Sequence, residues 1–290
     1  MQAIRIEDLP LQKPSSTARG GLEYYRILEG KPGDPGNFML LLSATLPGYY
    51  SPRHKHNFEQ IRFKVDESAS HYDDLGDAGK GSVGYFPEGT PYGPSSSSKR
   101  SQGLILQYGG PSGSGYMSRA EYQEHYDALC QKGTFEKGVY TWLDERGGKH
   151  NQDGYEAVWE HWTGRTLEYP KARYRSAIMM EPASVPWIAT EDQPGVWHRQ
   201  LGVFGSPGTT LEFFSIEPGS RMTLSGRGIY FVSEGSGQHP SSWTKHTTFF
   251  LESGESGEIE ATERSELLHI GMPDLSAIRR IRPDFALAAE

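Results

Sequence analysis

The chain has a single cysteine, Cys130, in 290 residues. An intrachain disulfide and a cysteine-rich metal site are both excluded, and a reducing cytoplasm is the expected compartment. Long apolar runs are missing too. None reaches the roughly 18 residues of a membrane-spanning helix, so no membrane partner is expected. The opening residues, MQAIRIEDLPLQKP, carry no apolar segment of the secretory kind. Positive charge is scarce: 29 Lys and Arg stand against 37 Asp and Glu, a net charge of −8. Such a chain lacks the clustered cations that displace counterions from a phosphate backbone, so no nucleic-acid partner is expected.

Glycine (35) and proline (19) are abundant, and aromatics make up 12% of the residues. Gly supplies positive φ and Pro presets φ at turns, so this composition fits many short strands joined tightly. Strand-like runs follow one another at Leu22–Leu28, Phe38–Leu46, Tyr49–His56, Gln60–Val65, Ser82–Phe86 and Leu104–Tyr108. Short strands between Gly/Pro/Ser turns predict an all-β sandwich or barrel. The pattern then changes. Ser118 and Glu121 form a capping-box signature that opens a helix to about Gln131. A second helix is predicted at Gly154–Thr163, and Gly133–Asp153 between them has no clear period.

Strand runs return at Val196–Phe204, Thr210–Ile216, Gly228–Ser233, Thr247–Leu251, Glu258–Thr262 and Leu267–Ile270. The second half echoes the first. Phe213–Gly219 resembles Leu42–Gly48, Gly228–Val232 resembles Gln60–Val65, and Leu268–Gly271 resembles Leu106–Gly109. A duplicated barrel is the predicted plan: an arm over 1–21, a first barrel over 22–110, a helical connector over 111–169 and a second barrel over 170–290. The arm and the outward residues Ile61, Phe63 and Val65 have two places to pack. One is a second copy of the chain in a homodimer; the other is the second barrel.

The sharpest local signal is Gly48-Tyr-Tyr-Ser-Pro-Arg-His54-Lys-His56-Asn-Phe-Glu-Gln60. Two His at i and i+2 on a strand share a face. Inside a small barrel, two neutral imidazoles suit a divalent transition metal. The same parity places Arg62 on the face of Gln60. There a guanidinium either clamps a substrate carboxylate or pairs with an internal Asp or Glu. Tyr50 shares the face of His54 and His56.

This segment resembles the first motif of the cupin superfamily, a Gly, then His-x-His, then an acidic residue or Gln. Pro87-Glu-Gly-Thr-Pro-Tyr92 resembles the second motif, with Tyr92 standing where that motif has a His. With the duplication, the chain resembles a bicupin: an all-β protein of two jelly-roll barrels joined by a short helical connector. The resemblance covers 22–110 by motif and about 172–273 by layout.

It implies one divalent metal ion, Fe(II), Zn, Mn or Ni, held by His54, His56 and Gln60. Glu59 is the rival third ligand: alternation turns it outward, whereas a turn over 57–59 turns it in. Tyr92, Arg62 and Tyr50 are the candidate catalytic groups. Counting from the glycines puts the second barrel's equivalents of the two His on Ser225 and Arg227, or on Met222 and Leu224. His269 matches Gln107 by layout, and as a lone His on a strand it reads as a hydrogen-bonded core or surface residue. The connector aromatics Tyr122, Tyr126, Tyr155, Trp159 and Trp162 either cap the first barrel's mouth or pack between domains. Two functions follow from different classes. One is a metal-dependent enzyme acting on a small organic molecule, an oxygenase or a Lewis-acid isomerase or cyclase. The other is a small-molecule binding protein without catalysis.

Overall fold

The computed structural model describes residues 1–13, 21–34, 36–68, 70–136, 138–205 and 208–275. Residues 14–20 of the expected arm and 276–290 of the expected second barrel lie outside the described residues.

Two seven-stranded antiparallel sheets dominate. In the first, the spatial order is Ile178–Met180, Val83–Phe86, Phe58–Lys64, Ser101–Gly109, Phe38–Thr45, Leu22–Glu29 and Leu11–Gln12. In the second it is Gln2–Ile4, Thr248–Leu251, Gly228–Glu234, Ser265–Gly271, Thr209–Ile216, Val196–Phe204 and Ile188–Ala189. Strand for strand, the second repeats the first. A smaller sheet closes the other wall of each barrel: four strands including Tyr49–Ser51 and Ser95–Ser97, and three including Arg221–Ser225 and Ser256–Ala261.

The edge strands are exchanged. Gln2–Ile4, which leads into the first barrel, pairs with Thr248–Leu251 of the second. Ile178–Met180, which leads into the second barrel, pairs with Val83–Phe86 of the first. Each barrel therefore completes its sheet with a segment that precedes the other.

Strand periodicity sends alternate side chains to two different places. Leu40, Leu42, Ile61, Phe63, Leu104 and Leu106 leave the first barrel and meet Leu211, Phe213, Ile229, Phe231, Leu268 and Ile270 of the second. Phe63 lies 5.6 Å from Phe213 and 6.2 Å from Phe231 between ring centroids. The outward apolar residues thus pack on the other barrel. This face-to-face layer is the main core of the molecule and holds the two barrels as one body.

The strand registers test the internal echoes. Ile61 opposes Leu106, which opposes Leu40. Ile229 opposes Ile270, which opposes Leu211. Two of the three echoes agree with this. The third slips by two residues: Leu268 stands at the place of Leu104, not Leu106. Met222 and Leu224, the candidate equivalents of His54 and His56, are fully buried in an apolar cluster with Tyr230, Trp243 and Phe249. The second barrel is filled where the first is hollow.

The connector holds both predicted helices, α1 (Arg119–Cys130) and α2 (Gly154–Thr163). Ser118 and Glu121 form the reciprocal capping box. Asp153 caps α2 through the amides of Tyr155 and Glu156. Between them lies a three-stranded sheet, Gly133–Glu136, Val139–Leu143 and Lys149–Asp153, that sequence pattern does not reveal.

Candidate functional site

A cavity of about 380 Å³ lies inside the first barrel. Strands line one part of it with Gln60, Arg62 and Gln107. The connector lines another with Tyr116, Tyr122, Tyr126 and Tyr155. Trp159 and Trp162 instead fill the connector's own core. Tyr122, Tyr126 and Tyr155 thus face the cavity, whereas Trp159 and Trp162 pack within the connector and not between domains.

Two irregular segments carry the motif residues. The strand Tyr49–Ser51 stops at Pro52, which has no N–H to continue a ladder. The chain then crosses to Tyr92, and His54 and Tyr92 exchange both backbone hydrogen bonds, at 3.1 and 3.0 Å. Leading into Tyr92, the chain turns at Gly89, whose φ is +71°. A Cβ there would stand 2.2 Å from the Pro170 carbonyl oxygen, so only glycine fits.

Tyr92 is the hub of the site and is 2% exposed. Gln60 Nε2 (3.1 Å) and Arg62 Nη2 (2.8 Å) both donate to its Oη. A hydroxyl has two lone pairs and one hydrogen. With both lone pairs taken, the hydrogen goes to His56 Nε2 at 3.0 Å. His56 therefore accepts at Nε2, as a neutral imidazole does. Arg62 carries donors only, so the Gln60 amide must face it with oxygen. Gln60 Oε1 takes Arg62 Nη2 at 3.0 Å, Arg62 Nε at 3.3 Å and Gln107 Nε2 at 3.3 Å. Gln107 Oε1 in turn accepts from Tyr116.

Arg62 has one further partner, the Tyr72 hydroxyl at 3.0 Å, and stacks over Phe86. All its hydrogen-bond acceptors are neutral. Among the described residues no Asp or Glu lies within salt-bridge distance of it. Burial, the largest single influence, opposes its charge, but Tyr92, Tyr72 and Tyr49 together outweigh it and hold the guanidinium above its ordinary value. Lys64 also lines the cavity but is spoken for: its ammonium is paired with Asp66 and donates to the Gln102 carbonyl.

The expected site residues fare differently. His54 and His56 come together, with ring centroids 4.9 Å apart. His54 Nδ1 meets the Pro52 carbonyl oxygen at 2.6 Å. His56, Gln60 and Arg62 line the cavity, whereas Tyr92 sits beneath that lining. Tyr50 is not part of the site. It is 54% exposed, because Pro52 breaks the alternation that would place it on the histidines' face; Tyr49 lines the cavity instead. Gln60 points inward and Glu59 outward, where Tyr85 donates to Glu59 Oε1 at 2.8 Å.

Three site residues escape the sequence reading: Tyr72, Gln107 and Tyr116. Gln107 had a signal, being the polar residue on the strand beside Gln60. His269 is a buried, hydrogen-bonded strand residue. Its Nδ1 meets Glu212 Oε1 at 2.8 Å, and its ring stacks on Tyr230 at 4.0 Å.

The donor set does not fit the divalent ion that the resemblance implies. The ligating atom of an amide is its oxygen, and Gln60 Oε1 already holds three N–H donors. Among the described residues the one carboxylate in the cavity wall, Asp153, is engaged in capping α2, and no group of three His, Cys, Asp or Glu could hold an ion. A fixed guanidinium reaches the same hydroxyl as His56 and Gln60. At an effective dielectric near 20, like unit charges about 4 Å apart repel by roughly 4 kcal/mol.

No protein-family profile matches the sequence, and no curated protein matches it. Solved structures do. A candidate dioxygenase from Nostoc punctiforme aligns with a TM-score of 0.61 at 11% identity, covering 97% of this chain and 87% of that one. Oxalate decarboxylase from Bacillus subtilis gives 0.53 at 12%, covering 94% and 76%. A salicylate 1,2-dioxygenase variant from Pseudoaminobacter salicylatoxidans gives 0.51 at 16%, covering 84% and 73%. The chain has the two-barrel cupin fold that these structures share.

Proposed function

We propose that the first barrel binds a small organic anion with its negative charge on Arg62, and that His56 exchanges a proton with it. One observation carries this reading: a guanidinium lines the cavity with neutral partners only. A guanidinium has five N–H donors, and four of its hydrogen bonds go to Gln60, Tyr72 and Tyr92. A carboxylate or enolate entering the cavity supplies the missing countercharge. His56 is the imidazole of the network that lines the cavity, and Tyr92 Oη is its internal proton partner at Nε2. This chemistry suits isomerisation, cyclisation or dehydration of an enolisable acid. The oxygenase and Lewis-acid forms of the expected enzyme need an ion that the donor set does not fit. The aromatic wall of Tyr116, Tyr122, Tyr126 and Tyr155 suits a planar body on the anion.

Isothermal titration with salicylate, oxalate and acetate tests the binding step. Saturable binding is expected, weakened at least about tenfold in Arg62→Gln, since a hydrogen bond to a charged group contributes roughly 1.5–3 kcal/mol. Equal affinity in that variant, or no binding of any probe, rejects the reading. Deuterium uptake from heavy water into acetoacetate or oxaloacetate tests the proton step, with His56→Gln as the control. Binding without uptake makes the chain a binding protein rather than an enzyme.

A further inference from the structure

We propose that Arg62 and Tyr92 together replace the metal ion of the first barrel, so that this chain keeps the His-x-His motif yet loads no divalent cation there. The two residues act on different requirements of an ion. Tyr92 removes a ligand: it stands at the motif position where an imidazole is expected. It also fills space, since its Oη lies 3.0 Å from His56 Nε2 and 3.1 Å from Gln60 Nε2, where those side chains converge. Arg62 removes the second ligand without replacing it. It occupies Gln60 Oε1 with two N–H groups and brings a fixed positive charge to 2.8 Å from Tyr92 Oη.

The rest of the site is built around this substitution. Gln107 adds a third donor to Gln60 Oε1, and Tyr116 holds Gln107 in that orientation. Tyr72 anchors the far arm of the guanidinium. The hydrogen bonds of Gln60, Gln107 and Tyr72 thereby suit a cation already present as part of the protein. An ion would have to break the Gln60–Arg62 pairing and settle beside a charge of its own sign.

The test is metal content, measured on full-length protein purified without a histidine tag. Wild type is incubated separately with Fe(II) under anaerobic conditions, Mn(II), Ni(II) and Zn(II), then desalted and analysed by mass spectrometry. The expected result is no more metal than in the His54→Ala/His56→Ala variant. Near-stoichiometric metal in wild type that disappears in that variant overturns the proposal. Arg62→Met/Tyr92→His is the converse. It is expected to gain affinity for at least one of these ions by about tenfold or more, the scale on which neighbouring groups tune metal sites. A folded double variant that gains none shows that these two residues are not what excludes the ion. If the double variant fails to fold, the wild-type comparison still decides. Metal content and anion affinity are measured separately, so failure of one does not carry over to the other.

Discussion

Glu59 and Gln60 are neighbours in sequence and live in opposite environments. Gln60 works inside the cavity. Glu59 is 1% exposed on the other face of the same strand, and burial raises its carboxyl to about 7. The folded protein therefore holds a proton that the unfolded chain has already released between about pH 4.5 and 7. Stability must fall as pH rises through that window and stay lower above it. Glu59→Gln removes the titration, and its amide oxygen can still accept from Tyr85. The variant is expected to be more stable than wild type at pH 8 by on the order of 1–3 kcal/mol, and to lose this advantage at pH 4. Thermal melts at both pH values check this. At about 2–4 °C per kcal/mol the difference is measurable, and parallel melting of the two proteins rejects it.

Parity made the Gln60 and Arg62 face readable from the sequence, because residues 58–64 form one uninterrupted strand. Parity failed for Tyr50, because Pro52 ends the strand before the histidines arrive. The Tyr92 hub was only half visible. A changed motif residue marked the position, but nothing local shows that residues thirty positions apart, Arg62 and Tyr92, share a hydrogen bond.

At the scale of elements, the connector is legible where it has one buried face. In α2, Val158, Trp159 and Trp162 are buried, and the apolar spacing announces them. The hairpins between the helices present only a shallow face: Gly133–Glu136 alternates between intermediate and exposed residues, and Tyr140 is the buried residue of Val139–Leu143. So shallow a face leaves little contrast between alternate positions for a period to show. The capping box of α1 holds Tyr122 and Tyr126 over the cavity. Ser118→Ala is expected to cost about 1 kcal/mol of stability. It should also loosen α1, so amide exchange in residues 119–126 should quicken while the strand Phe58–Lys64 stays protected. Uniform exchange changes across both elements would contradict a local role for the cap.

At the scale of the whole molecule, sequence layout anticipates two barrels but not how they are joined. Strands as short as Gln2–Ile4 and Ile178–Met180 carry no periodic signal. Their partners were beyond reach of the sequence, since each lies in the other half of the chain. The shared apolar layer and the two exchanged strands predict one cooperative calorimetric transition for both barrels. Two separated transitions, one per barrel, would show that the layer couples them weakly.

The exchange of edge strands has a consequence for how the chain can be divided. A cut between α2 and Ile178 leaves two fragments, and each carries off the strand that the other needs to finish its sheet. Neither fragment is a self-sufficient barrel, and each presents an open edge fitted to its counterpart. The polypeptide has the form of an arm-swapped dimer of single barrels written as one continuous chain. Its halves are therefore complementary pieces of one object, and the connector sets their proximity more than their fit.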